Sequence, residues 1–100
     1  MTYEFDAPLW RHDGDAAWYF LTLPFAVADD VEERFGRTAG GFGSVRVRVC
    51  VGASEWMTSL FPDAKRKSYV LPVKKAIRVA EHLDDGTPVH VTLDVVTADP

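Results

Sequence analysis

"SYVLPVKKAIRVAEHLDDGTPVHVTLDV" (residues 68–95) decides the fold, because its apolar period changes twice without a break. Ser68 to Pro72 is a short, apolar, strand-like run. Val73, Ala76, Ile77, Ala80 and Leu83 then fall on one helical face, with Lys74, Lys75, Arg78, Glu81 and His82 outside it. After Asp84, Asp85 and Gly86 supply a turn, Val89, Val91, Leu93 and Val95 return to period two, with His90, Thr92 and Asp94 between them. Strand, basic helix, acidic turn and strand therefore form one module. Pro72 stands just before the helix, a common start position.

Upstream, "YEFDAPLWR" sets Tyr3, Phe5, Ala7 and Leu9 on one face of a strand, and "HDGD" follows with an Asp13-Gly14 turn. In "AAWYFLTLP" both faces are apolar, Trp18 and Phe20 on one and Tyr19 and Leu21 on the other. That pattern predicts a strand covered on both sides, ended by Pro24. "DDVEERFG" predicts one or two helical turns over residues 29–36: Asp29 as cap, Glu32 in the capping-box position and Gly36 as a left-handed stop. "SVRVRVCV" alternates Val45, Val47, Val49 and Val51 with Arg46, Arg48 and Cys50, one face core and the other wet. "SEWMTSLF" reads as its partner, and "PDAKRK" as a polar loop before "SYVLP". The expectation is six strands and two short helices in a mainly β, small closed antiparallel barrel, since closure removes exposed strand edges.

The chain of 100 residues fits one domain, residues 1–100, with a modest core. Its 47% hydrophobic content supplies that core without a metal or disulfide, and the lone Cys50 has no internal partner, as expected of a reducing compartment. Glu4 and Asp6 interrupt the N-terminal apolar residues, unlike a signal peptide, and no apolar run is long enough to span a membrane. A cytoplasmic location is expected, with no membrane partner and a monomer or homodimer. The net charge of −4 is unevenly spread: between residues 44 and 78, eight bases face only Glu55 and Asp63.

The module over residues 68–95 is similar to half of an AbrB/MazE-type swapped-hairpin transcription factor at Leu71, Pro72, Lys75, Ile77, Arg78, Gly86 and Val89, which implies DNA binding. A wider resemblance covers residues 5–94. "WYFLTLP", "SVRVRV" followed by "WMTSLFP", "YVLPVKKAIRVA" and "DDGTPVHVTLDV" resemble the DUF1905 family, a bacterial and archaeal domain of unknown function sometimes fused to a YdeI/OmpD-associated segment. Its most specific parts are Ser59 to Pro62 and Tyr69 to Arg78. The resemblance implies a small β-barrel with accessory helices and no particular reaction. Ser68 and Thr87 depart from it, standing where the family usually has a glycine and an acid.

Motifs for catalysis are sparse. His12, His82, His90 and Cys50 lack metal-ligand spacing, so no metal or cofactor is expected. Ser44, Ser54, Ser59 and Ser68 lie in no nucleophile elbow, and "GGFG" (residues 40–43) lacks the strand and Lys-Ser/Thr of a phosphate loop. Asp29, Asp30, Glu32 and Glu33 read as a solvated helix face. Trp56, Phe61 and Tyr69 accompany the bases and could stack single-stranded nucleic acid, but core positions are the expectation for all three.

The leading expectation is a binding or interaction module, leaning away from catalysis. Its candidate anion site is Lys74, Lys75 and Arg78 at the start of the second helix, with Arg46 or Arg48 joining them, for an anionic small molecule or an acidic protein surface. Bases at that end oppose the helix dipole, at a cost of about a few tenths of a kcal/mol each when exposed. Nucleic-acid binding is the second reading. An enzyme using the barrel mouth is the third, to be recognised by a deep pocket with a buried, perturbed ionisable group.

Overall fold

A computed structural model describes residues 1–14, 17–36 and 43–96. Chain order is β1 (Thr2–Pro8), β2 (Trp10–His12), β3 (Trp18–Thr22), α1 (Phe25–Phe35), β4 (Val45–Val51), β5 (Ser54–Asp63), β6 (Ser68–Pro72), α2 (Lys75–Ala80) and β7 (Pro88–Val95). The fold is mainly β. Seven antiparallel strands in the order β1-β7-β4-β5-β6-β3-β2 curl into an open half-barrel.

The expected closed barrel of six strands is corrected in two respects. The first run divides at Leu9 into β1, which pairs with β7, and β2, which pairs with β3. Because these outermost strands are successive pieces of one run, they cannot ladder with each other, and among the described residues no hydrogen-bonded seam closes the sheet. Strand β5 makes the opposite corner, pairing with β4 up to Leu60 and with β6 from Phe61 onward.

The inward face follows the alternation closely. Tyr3, Phe5, Ala7, Leu9, Val45, Val47, Val49, Val51, Val89, Val91 and Leu93 are buried, joined by Leu21, Leu60, Leu71 and Trp56. Burying such side chains contributes roughly 1.5–3 kcal/mol each, so this shared core outweighs any local irregularity.

The two helices pack against the sheet. Helix α1 starts five residues earlier than the capping signal implies, with Pro24 rather than Asp29 at the cap position. Proline's fixed φ and missing N–H suit a helix entrance, and burial of Ala28 and Val31 extends the helix back to Phe25. Gly36 is right-handed (φ −57°), so the expected left-handed stop is also corrected. The acidic run therefore lies mid-helix, and two of its members hold the helix to the sheet. Tyr3 of β1 donates to Asp30 at 2.6 Å and Tyr69 of β6 donates to Glu32 at 2.5 Å, so α1 ties together two strands that do not pair.

Helix α2 is only six residues long. Val73 and Ile77 are buried and Leu83 partly so, whereas Ala76 and Ala80 of the expected apolar face are exposed. At its C-terminal end Glu81 accepts a hydrogen bond from Ser54 at 2.6 Å. Gly52 in the β4–β5 turn has φ +56°, and a Cβ there would collide with the Glu81 carboxylate, so glycine is required twice over. No helix among the described residues is long and apolar enough to cross a membrane. The "GGFG" connection and the second half of the β2–β3 turn lie largely outside the described residues.

Candidate functional site

Strand alternation gives every strand an outward row, and on β2, β3 and the end of β5 that row is mostly aromatic, with an aliphatic row on β6 between them. Trp10 and His12 come from β2, Trp18 and Phe20 from β3, Val70 and Pro72 from β6, and Phe61 from β5. The register sets Trp10 opposite Phe20, His12 opposite Trp18, Phe20 opposite Pro72 and Phe61 opposite Val70. The result is an open groove of about 1150 Å³.

Its rings are arranged rather than scattered. Trp18 and Phe20 lie nearly parallel, 8° apart with centroids separated by 6.2 Å, and Trp10 follows at 5.1 Å from Phe20. Trp10 is fixed from below, its indole N–H donating to Thr22 Oγ1 at 2.9 Å. Trp18 is 54% exposed and Phe61 44%. The expectation that β3 is covered on both faces is thus corrected: Leu21 is fully buried and Tyr19 half-buried, while the Trp18–Phe20 side faces solvent. Neither helix is placed to cover it.

Cations stand at the groove. Arg66 lies with its guanidinium carbon 3.8 Å from the centre of the Trp10 ring, and Asp63 holds it there at 2.9 Å. Burial raises the Asp63 pKa, but hydrogen bonds from the Arg66 guanidinium and from the Arg66 and Lys65 amides outweigh it and leave the carboxyl below its ordinary range. Arg11 and Lys65 also line the groove, as does Asp13. Three cations therefore meet two carboxylates, Arg66 and Asp63 being paired with each other, in a chain of net charge −4.

The residues expected to form an anion seat are distributed differently. Lys74 and Lys75 are exposed, but Arg78 turns inward, its Nε donating to the Val73 carbonyl at 3.2 Å and its guanidinium lying 3.8 Å from the centre of the Tyr19 ring. Arg46 and Arg48 sit on the outer face of β4, Arg48 3.7 Å from Glu55 and Arg46 opposite Ser59. None of the described hydrogen bonds or ion pairs joins either to α2. Arg46 instead shares the outer face with the β5 row that ends in Phe61 and Asp63.

Of the three aromatics considered as stacking residues, Trp56 and Tyr69 are buried and Phe61 alone is exposed. Trp10, Trp18 and Phe20 are the groove residues that sequence reasoning passed over. A signal for them existed: two short helices cannot cover the outside of so much sheet, so one apolar face of "WYFLT" had to remain open.

The perturbed ionisable groups lie mostly elsewhere. Burial, then the hydrogen bond to Asp30, pushes Tyr3 up to about 12. Burial and Glu32 raise Tyr69 in the same way. Both serve to attach α1. Cys50 is raised by burial and by Glu55. On the far side of the sheet His90 is raised by hydrogen bonds to Asp6 at 2.8 Å and Glu4 at 2.9 Å.

Residues 5–93 match the model of a family described as a domain of unknown function, DUF1905. No curated protein matches the chain.

Proposed function

Because this chain belongs to the DUF1905 family, whose description assigns no activity, the site must carry the argument, and we propose a binding module that uses the aromatic groove to take a ligand with a flat apolar surface and a negative charge. The observation that carries this reading is the exposure of Trp18 and Phe61 on one continuous sheet face beside Arg66. Apolar area left in water forgoes about 25 cal/mol per Å², and a contiguous patch of it rimmed by polar groups marks an interaction surface. The cations add selectivity for anions, and the rigid strand backbones keep the rings in place without ligand-induced ordering.

The competing location is the seat at Lys74, Lys75 and Arg78. It rests on a helix of six residues whose arginine is already engaged. The two locations separate experimentally with anilinonaphthalene sulfonate, which combines flat rings with one anion. The natively folded protein is expected to bind it with a fluorescence increase, strongly reduced in Trp18→Ala and Arg66→Ala and unchanged in the double variant Lys74→Glu/Lys75→Glu. Loss in the double variant alone would move the site to α2, and no binding by the native protein would remove the reading.

A further inference from the structure

We propose that the natural occupant of the groove is a short stretch of single-stranded nucleic acid, its bases stacking on Trp18, Phe20, Phe61 and the Arg66 guanidinium. This rests on the binding-module reading and specifies its ligand.

Three features favour a strand over other flat anions. The groove holds about 1150 Å³, above the roughly 300–1,000 Å³ of sites for one small ligand. The exposed rings stand on different strands, Trp18 on β3 and Phe61 on β5, with the β6 row between them, so one small ring system cannot cover both. The cations likewise come from different elements rather than converging on one point: Arg11 on β2, and Lys65 and Arg66 in the β5–β6 turn. Spread rings with spread cations match alternating bases and phosphates.

Arg66 has a double part in this arrangement. Its guanidinium carbon sits 3.8 Å from the centre of the Trp10 ring, and a guanidinium can both stack on a base and hydrogen-bond a phosphate. Asp63 holds that guanidinium in position and, being ion-paired, repels the backbone less than a bare carboxylate. A duplex does not fit, because its base faces are already stacked.

The test is titration of the intact protein with pentathymidylate at low salt, followed by tryptophan fluorescence. Saturable quenching is expected, weakened about tenfold or more by Trp18→Ala and by Arg66→Ala, with the folded state of each variant checked by thermal unfolding. Phe61→Ala should weaken it as well, and Lys74→Glu/Lys75→Glu should not. Affinity should fall as salt rises. Thymidine monophosphate should bind at least about tenfold more weakly than the pentamer; equal affinity would make the occupant a free nucleotide and overturn the strand proposal. An abasic pentamer that binds as well as pentathymidylate would overturn stacking. If the protein sediments as a dimer that Trp18→Ala dissociates, the face is a self-interface and the proposal fails. Binding of anilinonaphthalene sulfonate without binding of pentathymidylate would overturn the strand alone and leave the groove reading intact.

Discussion

The two sides of the sheet share one core but meet water in opposite ways. On β1 and β7 the outward row is Thr2, Glu4 and Asp6 against His90, Thr92 and Asp94. His90 bridges the two carboxylates of β1, and Thr2 hydrogen-bonds Asp94. On β2, β3 and β6 the outward row is Trp10, His12, Trp18, Phe20, Val70 and Pro72. Inner-face chemistry is the same in both halves, so folding alone does not require the difference. Polar pairing across β1 and β7 satisfies that surface in water, whereas Trp18 and Phe61 keep large apolar area exposed. The contrast is the reason the proposed binding face is the β2–β3–β6 side.

The largest test of this contrast lies beneath it. Leu21→Ala on the inner face of β3 and Leu93→Ala on β7 should each cost about 3 kcal/mol in chemical denaturation, because both side chains are fully buried in the common core. A loss well under about 1 kcal/mol at either site would show that its half is not packed into the common core. Tyr69→Phe and Tyr3→Phe probe the attachments of α1 to the two sides. Each should cost about 1 kcal/mol, since the carboxylate released can be hydrated. A further step down, Trp18→Ala should change stability by less than about 0.5 kcal/mol while removing groove binding. A loss comparable with Leu21→Ala would mean that the outer aromatic row is structural.

The smallest effect is a pH dependence confined to the β1–β7 side. The folded-state pKa of His90 is raised above 6.5 by Asp6 and Glu4, so its contribution is fully present below that value and disappears as pH rises through the higher folded value. Both groups are exposed, so the increment is small. The denaturation midpoint of the wild type relative to His90→Gln should narrow from pH 6 to pH 8, and a difference that widens would contradict the sign.

Much of this molecule was legible in its residues. The valine alternation of β4 and β7 and the face of Tyr3, Phe5, Ala7 and Leu9 read directly as strands with one buried side, because period two leaves only one apolar face to bury. Residues 68–95 gave strand, helix, turn and strand in order. The start of α1 was misread, since Asp29 and Glu32 satisfy a local capping pattern that burial of Ala28 overrides.

The mix of aromatics and bases that lines the groove was legible as a composition, but not which of them share a face. Aromatics beside bases were visible, yet Phe61 alone among those singled out faces water, and Arg78, which spacing puts on the polar face of its helix, is drawn onto Tyr19.

Sequence by itself determined which residues alternate, where the chain turns, and which strands carry a single apolar face. Only tertiary structure decided the fate of "WYFLT", where both faces are apolar and local pattern cannot choose between them. Leu21 turned inward because β3 pairs with β6 in a register that sets it beside Leu71, and the same register leaves Trp18 and Phe20 outside. Closure was settled the same way. One run of chain supplies both outer strands of the sheet, a fact about pairing partners that no local window contains.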